Sequence, residues 1–268
     1  MQQMRGQGQD IAPFFEANSV ALIGASEREG SLGKELLNNL AESGFHGPIY
    51  PVNPKYETVL EKRCFQSIKA ICAPVDLAVI VTPAAAVPGI LEDCGAAGVP
   101  AAIILSAGFR ETGEAGRELE QNVLSIARQH GIRFIGPNCL GVMRPDIGLN
   151  ATFSHTMANP GRIALVSQSG AMCTAMLDWA APRNVGFSCV VSSGIAADVD
   201  FGEILDFVAM DPATDSIMLY IEGLKDSRRF MSALRAAART KPVVIMKSGR
   251  HEQGSKAAVS HTGALVGS

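Results

Sequence analysis

Ser19-Val20-Ala21-Leu22-Ile23-Gly24-Ala25-Ser26-Glu27-Arg28-Glu29-Gly30-Ser31-Leu32-Gly33 decides the fold. A short apolar run, Ser19–Ile23, enters a glycine-bearing turn, and an amphipathic segment near Gly33–Ser43 follows. Strand, turn and helix in that order form the unit of a parallel sheet with crossover helices. Glycines between a strand and a helix let backbone N–H groups approach a phosphate, and the helix start adds positive potential. The spacing of Gly24, Gly30 and Gly33 is G-x5-G-x2-G, longer than the dinucleotide fingerprint G-x-G-x-x-G. Alone, such a loop serves tight packing as readily as phosphate binding.

The rhythm repeats outward from this stretch. Further strands are predicted at Ile49–Val52, Leu77–Val81, Ala102–Leu105 and Arg133–Ile135, with helices near Ala85–Ala97 and Glu114–His130. Leu119, Val123, Ile126 and Ala127 recur at helical spacing in the last of these. Met143-Arg144-Pro145-Asp146-Ile147-Gly148 then breaks the pattern and leads into an irregular stretch ending at Pro160-Gly161. A second series follows, with strands at Arg162–Val166, Gly186–Val191, Ser216–Ile221 and Pro242–Met246. Its helices read as Gly170–Ala181, Phe201–Met210 and Ser227–Arg239, with Asp200 and Glu203 spaced as a capping box. The expected organisation is two α/β domains, 10–145 and 155–268, each built on a parallel sheet with crossover helices.

Bulk composition narrows the function. Of 268 residues 47% are hydrophobic and 18% charged, enough apolar material for full cores. A net charge of −3 gives no general attraction to nucleic acid or anionic lipid, so neither is an expected partner. The polar opening lacks the apolar segment of a signal peptide. The most apolar stretch, Val75 to Leu91, carries Asp76 and two prolines and does not read as a membrane span. The cytoplasm is the expected compartment. Six scattered cysteines without a C-x-x-C pair predict neither disulfides nor a metal site.

The strand ends bear on the ligand. A nicotinamide dehydrogenase wants an acid after the second strand to hold ribose hydroxyls. Here Pro51-Val52-Asn53-Pro54-Lys55 offers a lysine, which suits a phosphate on the ribose, as in coenzyme A or NADP; a solvated surface lysine is the plain alternative. Val81-Thr82-Pro83 and Gly136-Pro137-Asn138-Cys139-Leu140-Gly141 complete a rim at the carboxyl ends of the sheet. In the second series, Ser167-Gln168-Ser169-Gly170 offers hydroxyls and free N–H groups to an anion. It lacks the flanking glycines of a hydrolase nucleophile elbow. Gly249-Arg250-His251-Glu252-Gln253-Gly254-Ser255-Lys256 has its Ser and Lys in the wrong order for an ATP-binding P-loop.

Near the end lies Ser260-His261-Thr262-Gly263-Ala264, a small loop presenting one histidine. By itself such a histidine serves as nucleophile, ligand or proton carrier. Glu222, at the end of the strand Met218-Leu219-Tyr220-Ile221, could hold one imidazole nitrogen and leave the other free to attack phosphorus. A helix-capping or solvated glutamate is the alternative. His46, His130, His155 and His251 lack such surroundings.

Taken together, the chain resembles the NDP-forming acyl-CoA synthetases, the superfamily that includes succinyl-CoA synthetase. The resemblance runs from Phe15 to the end, through Ser19–Ser26, Pro51–Lys55, Ser106-Ala107-Gly108-Phe109 and Gly136–Gly141. It continues through Ser167–Gly170, Ala197-Asp198-Val199-Asp200, Ile221-Glu222-Gly223 and Ser260–Ala264. It implies a CoA-binding Rossmann-like domain followed by a flavodoxin-like ligase domain. In the family, acyl-CoA and phosphate give an acyl phosphate, which phosphorylates the loop histidine; the histidine then carries the phosphoryl group to ADP on an ATP-grasp domain. His261 matches that histidine and Glu222 its stabilising acid. Ser167, Ser169 and Gly170 match the phosphoryl cradle. Gly24, Ser26, Gly30, Lys55, Thr82 and Pro83 match positions around CoA, with Asn138 and Cys139 near the reacting thioester.

Two departures stand out. The family commonly has Gly-Asn before the Ala-Asp-Val-Asp run, whereas Gly194 is followed by Ile195. The sequence also stops seven residues after His261, so ATP or ADP with magnesium is expected to enter only through a missing ATP-grasp domain or subunit. The implied partners are CoA, a small carboxylic acid and that ATP-grasp piece, in an oligomer. Two other expectations remain: the CoA-sensing region of a bacterial GNAT-linked protein lysine acetyltransferase, and a nucleotide-binding scaffold without chemistry. Leu149–Ser154 and Asp226–Phe230 resemble the acetyltransferase subgroup.

Overall fold

A computed structural model describes residues 11–248. The first half runs β1 (Val20–Ile23), α1 (Leu32–Glu42), β2 (Ile49–Val52), a small ribbon β3 (Thr58–Val59) and β4 (Lys62–Arg63), β5 (Leu77–Ile80), α2 (Val87–Ala96), β6 (Ala101–Ile104), α3 (Glu114–His130) and β7 (Arg133–Ile135). The second runs β8 (Gly141–Arg144), β9 (Leu149–Thr152), β10 (Asn159–Ser167), α4 (Gly170–Ala180), β11 (Gly186–Ser192), α5 (Phe201–Met210), β12 (Ser216–Ile221), α6 (Ser227–Ala237) and β13 (Val243–Lys247).

The first sheet is parallel in the order β2-β1-β5-β6-β7. Strands β1, β5 and β6 are buried along their whole length, which is why they read as unbroken apolar runs. Alternate residues serve opposite layers: Leu22 and Val79 pack with Leu36 and Leu37, whereas Ala21 and Ile80 pack with Leu91 and Phe134. The second sheet has the order β13-β12-β10-β11-β8-β9, parallel from β13 to β11 and antiparallel beyond. The two sheets are those of a Rossmann-like and a flavodoxin-like domain. Among the described residues no helix is long and apolar enough to cross a membrane.

One expectation is corrected. Residues 143–148, read as a break leading into an irregular stretch, belong to the β8–β9 hairpin, which bonds to β11 of the second sheet. All eight strand residues are buried, and runs of only four residues, Gly-Val-Met-Arg and Leu-Asn-Ala-Thr, are too short to betray them. The prolyl turn Pro145–Ile147 and the left-handed Gly148 (φ 68°) that broke the pattern are the hairpin's connection.

One apolar cluster runs continuously from Leu22 and Val79 to Val166, Val191 and Leu219, so the two sheets share a core. Main-chain bonds stitch the segment after β7 to the loop after β11. Ile195 N–H donates to the Pro137 carbonyl (3.0 Å), Ala197 to Gly136 (2.8 Å) and Val199 to Phe134 (3.2 Å). Arg133 donates across the joint to Asp198 (2.9 Å) and to both oxygens of Glu203 (2.9 and 3.0 Å). Asp200 and Glu203 close the capping box expected at the start of α5.

At the centre sits Gly194 (φ 53°), where an added Cβ would lie 2.3 Å from the Asn138 carbonyl oxygen and 2.5 Å from that of Pro137. Deeper in the second domain, Arg144 on β8 donates to both oxygens of Asp211 (2.6 and 3.0 Å), and both residues are buried. Burial pushes the Asp211 pKa up, but hydrogen bonds from Arg144, Thr214 and the Ala213 N–H outweigh it and hold the group at about 2.

Gly194→Ala combines left-handed strain with overlap on main chain that cannot yield. It should cost about 2–4 kcal/mol in urea unfolding, and an unchanged midpoint would contradict the tight joint. Asp211→Asn should cost about 3 kcal/mol at neutral pH by leaving the buried Arg144 with only its bridge to the exposed Asp146 (2.9 Å). Because the folded pKa of about 2 lies below the ordinary 3.8, the carboxylate's contribution is complete above that ordinary value. It is lost as pH falls toward 2. The gap between variant and wild type should therefore close over that window; a gap independent of pH would count against the ion pair.

Candidate functional site

Both candidate turns lie where strand order reverses. From β1 the chain goes to β2 on one side and then to β5 on the other, so a crevice opens between β1 and β5 at their carboxyl ends. Gly24 (φ 101°) leaves β1 there, and a Cβ on it would lie 2.7 Å from the Val81 carbonyl oxygen. Ser26 Oγ accepts the Arg28 N–H (3.0 Å). Asn53 Nδ2 donates to the Ala25 carbonyl (2.7 Å), and its Oδ1 accepts the Lys55 N–H (3.0 Å). Asn53 thus ties the first turn to the segment carrying Lys55, a role not read from the sequence.

A cavity of about 580 Å³ occupies this crevice, walled by Gly24, Ser26, Arg28, Asn53, Lys55, Thr82 and Pro83 and floored by Ile23, Val52, Ile68 and Ile90. It has apolar surface for a flat ring and cations for phosphate. Gly30 is not part of this wall. Its φ of 68° turns the loop into Ser31, the N-cap of α1, so the structure gives it a conformational place and not a contact.

A second cavity, also about 580 Å³, lies between the two domains and adjoins the first at Val81 and Thr82. Thr82, Ser106, Asn138, Cys139, Leu140, Gln168 and Gly170 line it. The Thr82 Oγ1 is buried with no hydrogen-bond partner among the described residues, an acceptor and donor facing a lined void. Asn138 adopts φ 55° and donates its N–H to the Ser106 carbonyl (3.0 Å). Cys139 donates its thiol to the Ile104 carbonyl (3.4 Å), and burial pushes its pKa up to about 12. It is therefore a protonated thiol at neutral pH and no ready nucleophile.

In the second sheet the chain goes from β10 to β11 on one side and to β12 on the other, so the turns after β10 and β12 flank a second crevice. Ser167 Oγ accepts the Ser169 N–H (3.0 Å) and donates to the Ser169 carbonyl (2.8 Å), which shapes the turn from within. Ser169 is the N-cap of α4, its Oγ accepting the Met172 N–H (3.3 Å). The N–H groups of Gly170 and Ala171 remain as donors, as at any helix start.

Glu222 follows β12 and is buried. Its N–H (2.5 Å) and that of Gly223 (2.9 Å) both donate to Gln168 Oε1, and its carbonyl accepts from Lys247 Nζ (2.9 Å). Ser167, Ser169, Gly170 and Glu222 are thus brought together, with Gln168 as the link that the sequence did not reveal. His261 lies outside the described residues.

Beyond Gln168 and Ile195 lies a third cavity, about 500 Å³, lined by Arg110, Glu120, Lys225 and Asp226. Lys225 Nζ donates to the Ala196 carbonyl (2.6 Å); desolvation, then the positive charge of Arg110, lowers its pKa to about 8. No group of three His, Cys, Asp or Glu side chains able to hold a metal occurs among the described residues.

Comparison with known proteins agrees with this geometry. Residues 18–145 match the CoA binding domain family, and residues 160–268 match the succinyl-CoA ligase like flavodoxin domain. An ADP-forming acetate–CoA ligase I of Archaeoglobus fulgidus is 46% identical over 95% of this chain and 37% of its own length. The alpha subunit of ADP-forming acetate–CoA ligase I of Pyrococcus furiosus is 45% identical over 96% of this chain and 57% of its own. A solved acetyl-coenzyme A synthetase 1 of Candidatus Korarchaeum cryptofilum, in complex with phosphate and ADP, superposes with a TM-score of 0.92 at 37% identity. That alignment covers 97% of this chain and 56% of that one. The chain thus spans between about a third and three-fifths of the relatives it matches. These relatives are ligases and lend no support to the acetyltransferase reading. The chain is a CoA binding domain followed by a succinyl-CoA ligase-like flavodoxin domain.

Proposed function

We propose that this chain is the CoA-binding and phosphohistidine portion of an ADP-forming acyl-CoA synthetase of acetyl-CoA type. The overall reaction is acyl-CoA plus phosphate plus ADP to acid plus CoA plus ATP, reversible throughout. The observation that carries the reading is the pair of adjoining cavities, which lead from Lys55 past Thr82 to the start of α4 at Gly170. The residues fit CoA. Arg28 and Lys55 offer cations to its phosphates, the apolar floor suits adenine, and the buried Thr82 hydroxyl suits an amide of the pantetheine arm. Asn138 and Cys139 then flank the thioester, and Gly24 and Pro83 shape the crevice.

In this reading a phosphate oxygen attacks the thioester carbonyl, forming a C–O bond as the C–S bond breaks and the thiolate leaves. A ring nitrogen of His261 attacks phosphorus in the resulting acyl phosphate; the P–O bond breaks and the carboxylate departs. Glu222 holds the other ring nitrogen as charge develops on the imidazole. Ser167, Ser169 and Gly170 form the cradle for the anion at the helix start, where main-chain dipoles attract it. The phosphoryl group then passes to ADP, held with magnesium on an ATP-grasp domain or subunit, which the greater length of the relatives supports. We further propose domains at 10–145 and 155–268, an oligomer, a small carboxylic acid as the other substrate, and the cytoplasm as compartment, consistent with six free cysteines.

With labelled acetyl phosphate, the chain should acquire an acid-labile phosphoryl group that is lost in His261→Ala and formed about a hundredfold more slowly in Glu222→Gln. Undiminished label in His261→Ala would end the phosphohistidine reading. By calorimetry, Lys55→Ala should weaken CoA about tenfold, about 1.4 kcal/mol, and leave dephospho-CoA unchanged. Tighter binding of NADP than of CoA would overturn the assignment of the first cavity.

A further inference from the structure

Gln168 is nine-tenths buried, with 9% of its surface exposed, and its side chain is committed on one side only. Its two partners, the N–H groups of Glu222 and Gly223, are both donors, so the atom between them must be the carbonyl oxygen. The amide nitrogen therefore points the other way. It makes no hydrogen bond among the described residues, where both side-chain bonds of Gln168 are to its oxygen, and it is not sealed in, because Gln168 forms wall in both interdomain cavities. A clamp for Glu222 needs an acceptor alone. A nearly buried amide whose two donors open on a cavity holds them in a fixed direction, free for water or for a ligand.

Those donors belong to the residue immediately before Ser169, the N-cap of α4, where the Gly170 and Ala171 N–H groups are also unspent. Reading this turn as the phosphoryl site, as above, we propose that Gln168 is a catalytic residue that donates from its side-chain nitrogen to an oxygen of the phosphoryl anion at the start of α4. Its carbonyl meanwhile holds the main chain of Glu222 in register. One side chain thus couples the anion to the acid that orients the histidine. The donor adds to the helix start without adding net charge, and it is preorganised because its other end is pinned twice.

The test separates the two ends of the amide in the 268-residue chain. Gln168→Glu keeps an acceptor for both N–H groups and replaces the donor by a second negative oxygen; Gln168→Met removes both. Inorganic phosphate binding by calorimetry, acid-labile labelling from acetyl phosphate, and thermal melting are measured for each. Gln168→Glu should melt with wild type, bind phosphate at least about tenfold more weakly and be labelled about a hundredfold more slowly. Gln168→Met should melt lower and lose phosphate as well. Phosphate binding by Gln168→Glu equal to wild type overturns the proposal, and so does a Gln168→Glu chain that melts as low as Gln168→Met. If wild type takes no label at His261 yet binds phosphate in a Gln168-dependent way, the phosphohistidine reading falls and this one stands. Equal labelling of wild type and Gln168→Glu does the reverse.

Discussion

The carbonyl oxygens of Pro137 and Asn138 come so near Gly194 that no side chain fits between them, and the arrangement of both domains depends on that approach. It allows the loop after β11 to lie flat on the segment after β7, so that Ile195, Ala197 and Val199 bond main chain to main chain across the joint. The Ile195 side chain joins the first domain's core, and its N–H is spent on Pro137. That answers what replaces the polar residue usual at this place: the position contributes packing and backbone bonding. With the joint fixed, Asn138 and Gly170 face one another across a single void.

The molecule offers hydrogen-bond donors to anions without being basic. Its net charge is −3, and the positive potential is local, made by N–H groups at helix starts and a few cations where strand order reverses. Each sheet has one such reversal, between β1 and β5 and between β10 and β12. The joint brings the two into adjoining cavities. A long ligand with phosphate at one end and a reactive group at the other suits this layout, since each end meets its own set of donors.

Much of the fold was legible because the strands are buried on both faces and read as unbroken apolar runs, while Asp200 and Glu203 announced a helix start that the structure closes as a capping box. The β8–β9 hairpin was not legible: its partner β11 comes later in the chain, and its strands are runs of only four residues joined through a proline and a glycine. At the site, residues acting through their own backbone, such as Gly24, could be read from local spacing. Residues acting across distance could not. Asn53 reaches back 28 residues to Ala25 and Gln168 forward 54 to Glu222, and nothing in either local pattern marks such reach. Gly30, in the same phosphate-like spacing, bends the loop toward the N-cap of α1.

The hairpin's place in the chain also bears on synthesis. Emerging from a ribosome, the segment from β1 to β7 holds every strand of its sheet and can close at once. The residues of β8 and β9 come next, yet the strand they pair with arrives only after β10 and α4. For that interval the ribbon lacks its sheet partner, but α1 of the first domain already offers it a surface: Asn39 donates to the Thr152 carbonyl (2.7 Å), and Leu149 and Ala151 share a cluster with Leu36 and Leu37. The first domain thus holds the hairpin's place until β11 appears, and the order in which this protein assembles is written into its topology.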